Sequence, residues 1–132
     1  EIIDFIRSNG AAAVMAHPIH TKFKPDILYN VVRELQQAGL SGIEVFHASQ
    51  PRANRQLYLD IIRDLGLITA GGSDFHGGTA HPENRHNLNM PYMVLEQLHA
   101  AANAPAANTA APLSSASPVP PASYYAELEK YL

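Results

Sequence analysis

The chain has 132 residues, 46% apolar and 16% charged, with nine basic residues against twelve acidic ones and a formal net charge of −3. That is one domain's length with material for a core, too little charge for a disordered solvating chain, and no basic excess of the kind that grips duplex DNA. Cysteine is absent, which excludes disulfides, thiolate metal sites and cysteine nucleophiles, and no apolar run reaches the length of a membrane span.

The opening Glu1-Ile2-Ile3-Asp4 has no initiator Met and no basic stretch, so it reads as the middle of a helix rather than a signal peptide, and a cytoplasmic location is expected. Residues 2–8 have helical spacing, with Ile2, Ile3 and Ile6 on one stripe and Asn9-Gly10 as the stop. Ala11–Ala16 is a short apolar run suited to a strand buried on both faces. Ile27–Ala38 is amphipathic, with Asp26 as its expected cap and Gly39 beyond its end. Gly42–Phe46 reads as a second strand. A helix from about Pro51 to Leu65 follows, capped by Ser49 or Gln50 and closed by Gly66, with Leu57, Tyr58, Ile61, Ile62 and Leu65 as its buried stripe. Leu67–Ala70 is a third strand running into Gly71-Gly72. Strands alternating with amphipathic helices predict an α/β fold with a parallel sheet and flanking helices.

Residues 79–90 read as a polar loop, and Pro91 opens a helix that fades into Ala100–Ala102. Three segments are expected: a first unit over 1–99, an uncharged Ala/Pro/Ser-rich linker over 100–122, and a terminal helix over 123–132. That last helix, capped by Ser123, has Tyr124, Tyr125, Leu128, Tyr131 and Leu132 on one face. At ten residues it is marginal alone and must dock on something.

The chemistry gathers at strand ends. His17, His47 and His76 follow the three strands at spacings of 30 and 29 residues, one strand–helix repeat each. Parallel strands deliver such residues to one carboxyl rim, where α/β folds bind ligands. Three imidazoles at one rim are candidate ligands for a divalent cation. Gly71-Gly72-Ser73-Asp74-Phe75-His76-Gly77-Gly78 adds a carboxylate two residues before an imidazole, on a segment read as extended, so that both point the same way. Pro18 is expected to hold His17 extended as well.

Taken singly, His-Pro and Asp-x-His are more often caps or turns than ligands. Their conjunction at one repeat period favours ligation by His17, Asp74 and His76. His47 is divided evenly between binding metal or phosphate and hydrogen-bonding a neighbour. Glu44 is read, by strand alternation, as pointing away from Phe46 into one interior or the other, with a hydrogen bond to an Arg or a backbone donor as its structural alternative. His20, three past His17, is read as surface or pocket lining, and His81, His86 and His99 as solvated. No phosphate-binding P-loop, Gly-x-Gly-x-x-Gly, Gly-x-Ser-x-Gly or His-Glu-x-x-His motif is present.

Ala16-His17-Pro18, Gly42-Ile43-Glu44-Val45-Phe46-His47 and Gly72-Ser73-Asp74-Phe75-His76-Gly77, in this order and spacing, resemble the PHP (polymerase and histidinol phosphatase) family over about residues 1–78. The wording around the second segment is most similar to the small phosphoesterase branch. The resemblance implies the C-terminal half of a distorted (β/α)7 barrel, with two or three divalent ions (Mn, Zn, Fe or Mg) at its carboxyl rim. It implies hydrolysis of phosphate esters on a phosphorylated small molecule, nucleotide or short RNA by a metal-activated water. It makes His17, Asp74 and His76 metal ligands, Asp74 and His76 the catalytic pair, and His47 a substrate contact; His20, read from its position as pocket lining, is expected to contact substrate as well. The family's His-x-His and its second motif with a bridging Glu are not in this sequence, so a complementary N-terminal segment is expected as partner. Two other readings stand beside it. One is a non-catalytic module that keeps the strand ends and docks a partner through its terminal helix. The other is an amidohydrolase on a similar barrel, against which the lack of a strand-end Lys suited to carbamylation weighs mildly.

Overall fold

The computed structural model describes residues 1–48, 50–77, 88–104 and 119–132. Helix α1 (Ile2–Ser8) leads into strand β1 (Val14–Met15) and a 3₁₀ turn over Pro18–Thr21. Helix α2 (Pro25–Gln37), strand β2 (Gly42–His47), helix α3 (Arg52–Leu65) and strand β3 (Ile68–Gly72) follow, and then helices α4 (Met93–Ala102) and α5 (Ala122–Leu128). The sheet runs β1-β2-β3 with both pairs parallel, so a helix fills each crossover and the three carboxyl ends share one rim. The expected mixed α/β architecture with parallel strands and flanking helices is what the chain forms.

The local chemistry sets where the elements start and stop, in places differently from expectation. Helix α2 begins at Pro25, whose fixed φ suits the first helical position, so Asp26 lies inside the first turn and Lys24 takes the cap. The Asp26 carboxylate there complements the helix dipole instead of capping it. Pro51, extended at φ −59°, caps α3 in place of Gln50, and Ser49 lies outside the described residues. Gly66 closes α3 in the left-handed conformation at φ 65°, as its place after the last apolar residue predicts. Pro121, not Ser123, caps α5. The first strand is shorter than the apolar run, because only Val14 and Met15 pair with Gly42 and Ile43, although Ala13 still accepts the Ser41 N–H at 2.8 Å.

The core lies between the sheet and its helices. Leu28 and Val32 of α2, Ile43, Val45 and Phe46 of β2, Tyr58, Leu59, Ile61 and Ile62 of α3, and Val94, Tyr124 and Leu128 form one buried cluster. Ile3 and Ile6 pack on its margin, whereas Ile2, expected on the same stripe, is 78% exposed. Helix α4 runs through Ala102, into the stretch read as linker, because alanine is the best helix former. The rest of that linker over 105–118, the polar loop through 87, His81 and His86 lie outside the described residues. Among the described residues, no helix is long and apolar enough to cross a membrane.

Candidate metal centre

Strand β2 carries the floor of the site. In regular strand geometry Glu44 and Phe46 would share a face and His47 would take the other. The pairing breaks that rule: Glu44 opposes Ala70 and Phe46 opposes Gly71, so Val45 is an extra residue with no partner of its own on β3. After the break, His47 opposes Gly72. Since Ala70 and Gly72 share a face, so do Glu44 and His47, and Phe46 turns away with Gly71. Glu44 does face away from Phe46, as expected, but through this register break and not through alternation. A side-chain atom at Gly72 would sit 3.2 Å from Glu44 Oε1, and one at Gly71 only 2.7 Å from Phe46 Cβ, which confirms the two faces.

His17 enters at the end of β1. It is left-handed, at φ 46° and ψ 50°, and not extended as the following proline led one to expect. Two bonds fix this otherwise costly conformation. Its N–H donates to Glu44 Oε2 at 2.9 Å, and its C=O accepts the His20 N–H at 2.9 Å as the 3₁₀ turn begins. The backbone-donor reading of Glu44 is therefore met, and the same carboxylate also faces the imidazoles.

The result is a compact constellation. His17, Glu44 and His47 each offer a ligand atom, all within 4.8 Å of one another. The His17 and His47 rings meet edge to face with centroids 4.9 Å apart. Asp74 reaches both, its Oδ1 3.5 Å from His17 Nε2 and its Oδ2 3.7 Å from His47 Nε2, while Glu44 Oε2 lies 3.7 Å from His17 Nε2. His47 is 4% exposed and Glu44 9%, whereas the His17 and Asp74 side chains are about a third exposed, so a buried pair underlies a solvent-facing one. The position of His47 is pinned from behind: its C=O accepts the Gln50 N–H and the Arg55 guanidinium, both at 3.1 Å.

The segment after β3 is not extended. Asp74 is left-handed at φ 55°, and His76 Nδ1 folds back to the Asp74 carbonyl oxygen at 2.7 Å. The two side chains do approach, with His76 Nδ1 3.6 Å from Asp74 Oδ1, but His76 is 74% exposed and stands outside the His17–Glu44–His47 group. His20 is exposed at the mouth, its ring 5.8 Å from that of His17. His99 is exposed in the last turn of α4.

This donor set fits a divalent cation. Two ligands about 2.1 Å from one ion and at tetrahedral or octahedral angles stand roughly 3.0–3.5 Å apart, close to the separations within this group. Among the described residues, no Lys or Arg lies within 4 Å of the Glu44 or Asp74 carboxylate. A buried carboxylate needs compensating charge, and an ion held by imidazole and carboxylate would supply it.

No family model matches the chain. Over 77 residues it is 30% identical to the phosphoribosyl 1,2-cyclic phosphate 1,2-diphosphodiesterase of Eggerthella lenta, a match covering 58% of this chain and 28% of that protein. It superposes with a TM-score of 0.61 and 26% identity on an amidohydrolase from Chromobacterium violaceum solved with sulfate and no metal, covering 70% of this chain and 32% of that one. The chain thus spans less than a third of the length of either relative. By sequence and by fold, it is similar to enzymes named as hydrolases.

Proposed function

We propose that this chain supplies one wall of a divalent-cation centre that hydrolyses phosphate esters, within a PHP-like barrel whose remaining strands come from outside this stretch of sequence. One observation carries the reading: successive parallel strands bring His17, Glu44, His47 and Asp74 to the spacings of ligands around a single ion. Glu44 and His47 would hold the ion from the buried floor, and His17 and Asp74 from the open side. When bound, the ion would polarise a phosphoryl oxygen and bring the pKa of its water toward neutrality. Asp74, at the open side, would accept a proton at the mouth. His76, tied to the Asp74 carbonyl and exposed, would act with Asp74 as the catalytic pair or serve as a further ligand. His20 lines the entrance, where it would meet the phosphorylated substrate.

The name of the Eggerthella lenta relative supports a phosphorylated small molecule as the substrate class. Nucleotides and short RNA belong to that class. Residues 1–102 would form the part of the barrel, with α5 as a docking helix. Amide hydrolysis is the second reading, favoured by the name of the structural relative.

The test is an assay of the chain, alone and joined to a polypeptide that supplies the rest of a barrel, with Mn²⁺ or Zn²⁺. The substrates are a phosphomonoester, a cyclic phosphodiester and a cyclic amide. Metal-dependent phosphate release, lost in Asp74→Ala, is expected. Turnover of the amide alone would give the site to the second reading, and phosphate release unchanged in Asp74→Ala would refute the first.

A further inference from the structure

Among the described residues, strand β3 is the last in the sheet, and its outer edge is not left to solvent. The Ile68 N–H donates inward to Ser41 C=O at 3.0 Å, so the polar groups of Leu67 and Thr69, its neighbours on either side, face outward. A fourth parallel strand paired there would use one residue twice: its N–H would donate to Leu67 C=O and its C=O would accept the Thr69 N–H. Both bonds exist, made by side chains of α5. The Tyr125 hydroxyl donates to Leu67 C=O at 3.1 Å, and the Tyr124 hydroxyl accepts the Thr69 N–H at 3.2 Å. The Tyr124 hydroxyl also bonds Thr69 Oγ1 at 2.5 Å, which completes its capacity.

Both rings are buried, at 2% and 4% exposure, and they meet edge to face with centroids 5.3 Å apart. Their burial holds the two hydroxyls at adjacent positions along the strand. An apolar helix face alone would cover the edge without satisfying it, and a buried unpaired N–H or C=O is costly.

We infer that α5 is a surrogate strand: Tyr124 and Tyr125 together replace the backbone of one residue of a fourth strand and so terminate the sheet at β3. An added strand then has no place beside β3, so strands supplied from outside this stretch of sequence would join the sheet at β1 and leave the barrel's seam open at β3, and the edge that carries Asp74, five residues after Thr69, is protected from pairing with other chains. The inference stands whether or not the rim binds a cation.

Amide hydrogen exchange reads it directly. In the unmodified chain, the Thr69 amide is expected to be protected as strongly as its neighbours Ile68 and Ala70, which bond to β2. In Tyr124→Phe/Tyr125→Phe, which keeps both rings and removes both hydroxyls, exchange at Thr69 should accelerate by about tenfold, the scale of one lost backbone bond, while Ile68 and Ala70 change little. Equal acceleration at all three, or none at Thr69, would overturn the assignment. Should the double variant fail to fold, the unmodified chain still decides: a Thr69 amide exchanging far faster than Ile68 and Ala70 refutes the surrogate.

Discussion

The Glu44 carboxylate accepts the His17 N–H at 2.9 Å, across 27 residues of sequence and between the ends of two paired strands. It thereby fixes a histidine in a left-handed conformation that its own sequence disfavours, and aims that ring at His47 and Asp74. One side chain thus serves both as a structural clamp and as a candidate ligand.

The two roles separate by substitution. Glu44→Ala leaves the His17 N–H without its acceptor and should cost about 1–3 kcal/mol, read from urea unfolding. Glu44→Gln keeps an acceptor oxygen but not the charge. It should lose no more than about 1 kcal/mol, yet weaken Zn²⁺ or Mn²⁺ binding at least tenfold by calorimetric titration. Equal affinity in Glu44→Gln and the unmodified chain would leave Glu44 a clamp alone.

The paired glycines of β3 make a second contrast. Alanine at Gly71 would place its Cβ 2.7 Å from the Phe46 carbonyl oxygen and Met90 Sδ, so Gly71→Ala should destabilise by roughly 1–3 kcal/mol. Alanine at Gly72 meets only Glu44 Oε1 at 3.2 Å, the end of a side chain. Gly72→Ala should therefore keep a near-native melting temperature while lowering cation affinity. Thermal unfolding and cation titration of the two variants check this.

Asp74 and His76 should also differ, because Asp74 lies within 3.7 Å of both His17 and His47, whereas His76 touches only Asp74 among these groups. Asp74→Ala is expected to lower cation affinity by about a hundredfold or more, and His76→Ala by less than about tenfold. Comparable losses would place His76 among the ligands of this ion.

Alkaline titration addresses the docking of α5. Burial, reinforced by neighbouring Tyr124 and opposed by Arg63, pushes Tyr125 up to about 12 from 10.0, and burial raises Tyr124 too. A raised folded-state value means that the unfolded chain gives up the proton first, so this stabilisation is complete below about pH 10 and is lost as pH rises toward about 12. Stability should fall across that window, with tyrosinate absorbance tracking unfolding. In Tyr125→Phe the fall should be shallower.

The repeat period makes much of this legible. His17 and His47 stand one strand–helix unit apart, and parallel pairing alone suffices to bring them together. Glu44 is not readable as their companion, because strand alternation separates it from His47 and only the extra residue at Val45 reunites them. That break depends on pairing between strands and leaves no mark in β2 itself, though a Glu in the otherwise apolar Gly-Ile-Glu-Val-Phe-His is the available hint. Local rules weigh proline and spacing and so make the strand-end motifs extended, wrongly, whereas His17 and Asp74 take left-handed conformations fixed by long-range and turn contacts. The need of the terminal helix to dock is readable from its length and apolar face. Its docking site is not, since the open edge of β3 exists only once the sheet has formed.

If His17, Glu44, His47 and Asp74 surround one cation, anomalous diffraction from crystals soaked in Zn²⁺ locates that ion directly. One peak about 2.0–2.2 Å from both imidazole Nε2 atoms and from an oxygen of each carboxylate is the expected result. No peak at this rim, or an ion bound elsewhere with these four side chains unmoved, would contradict it.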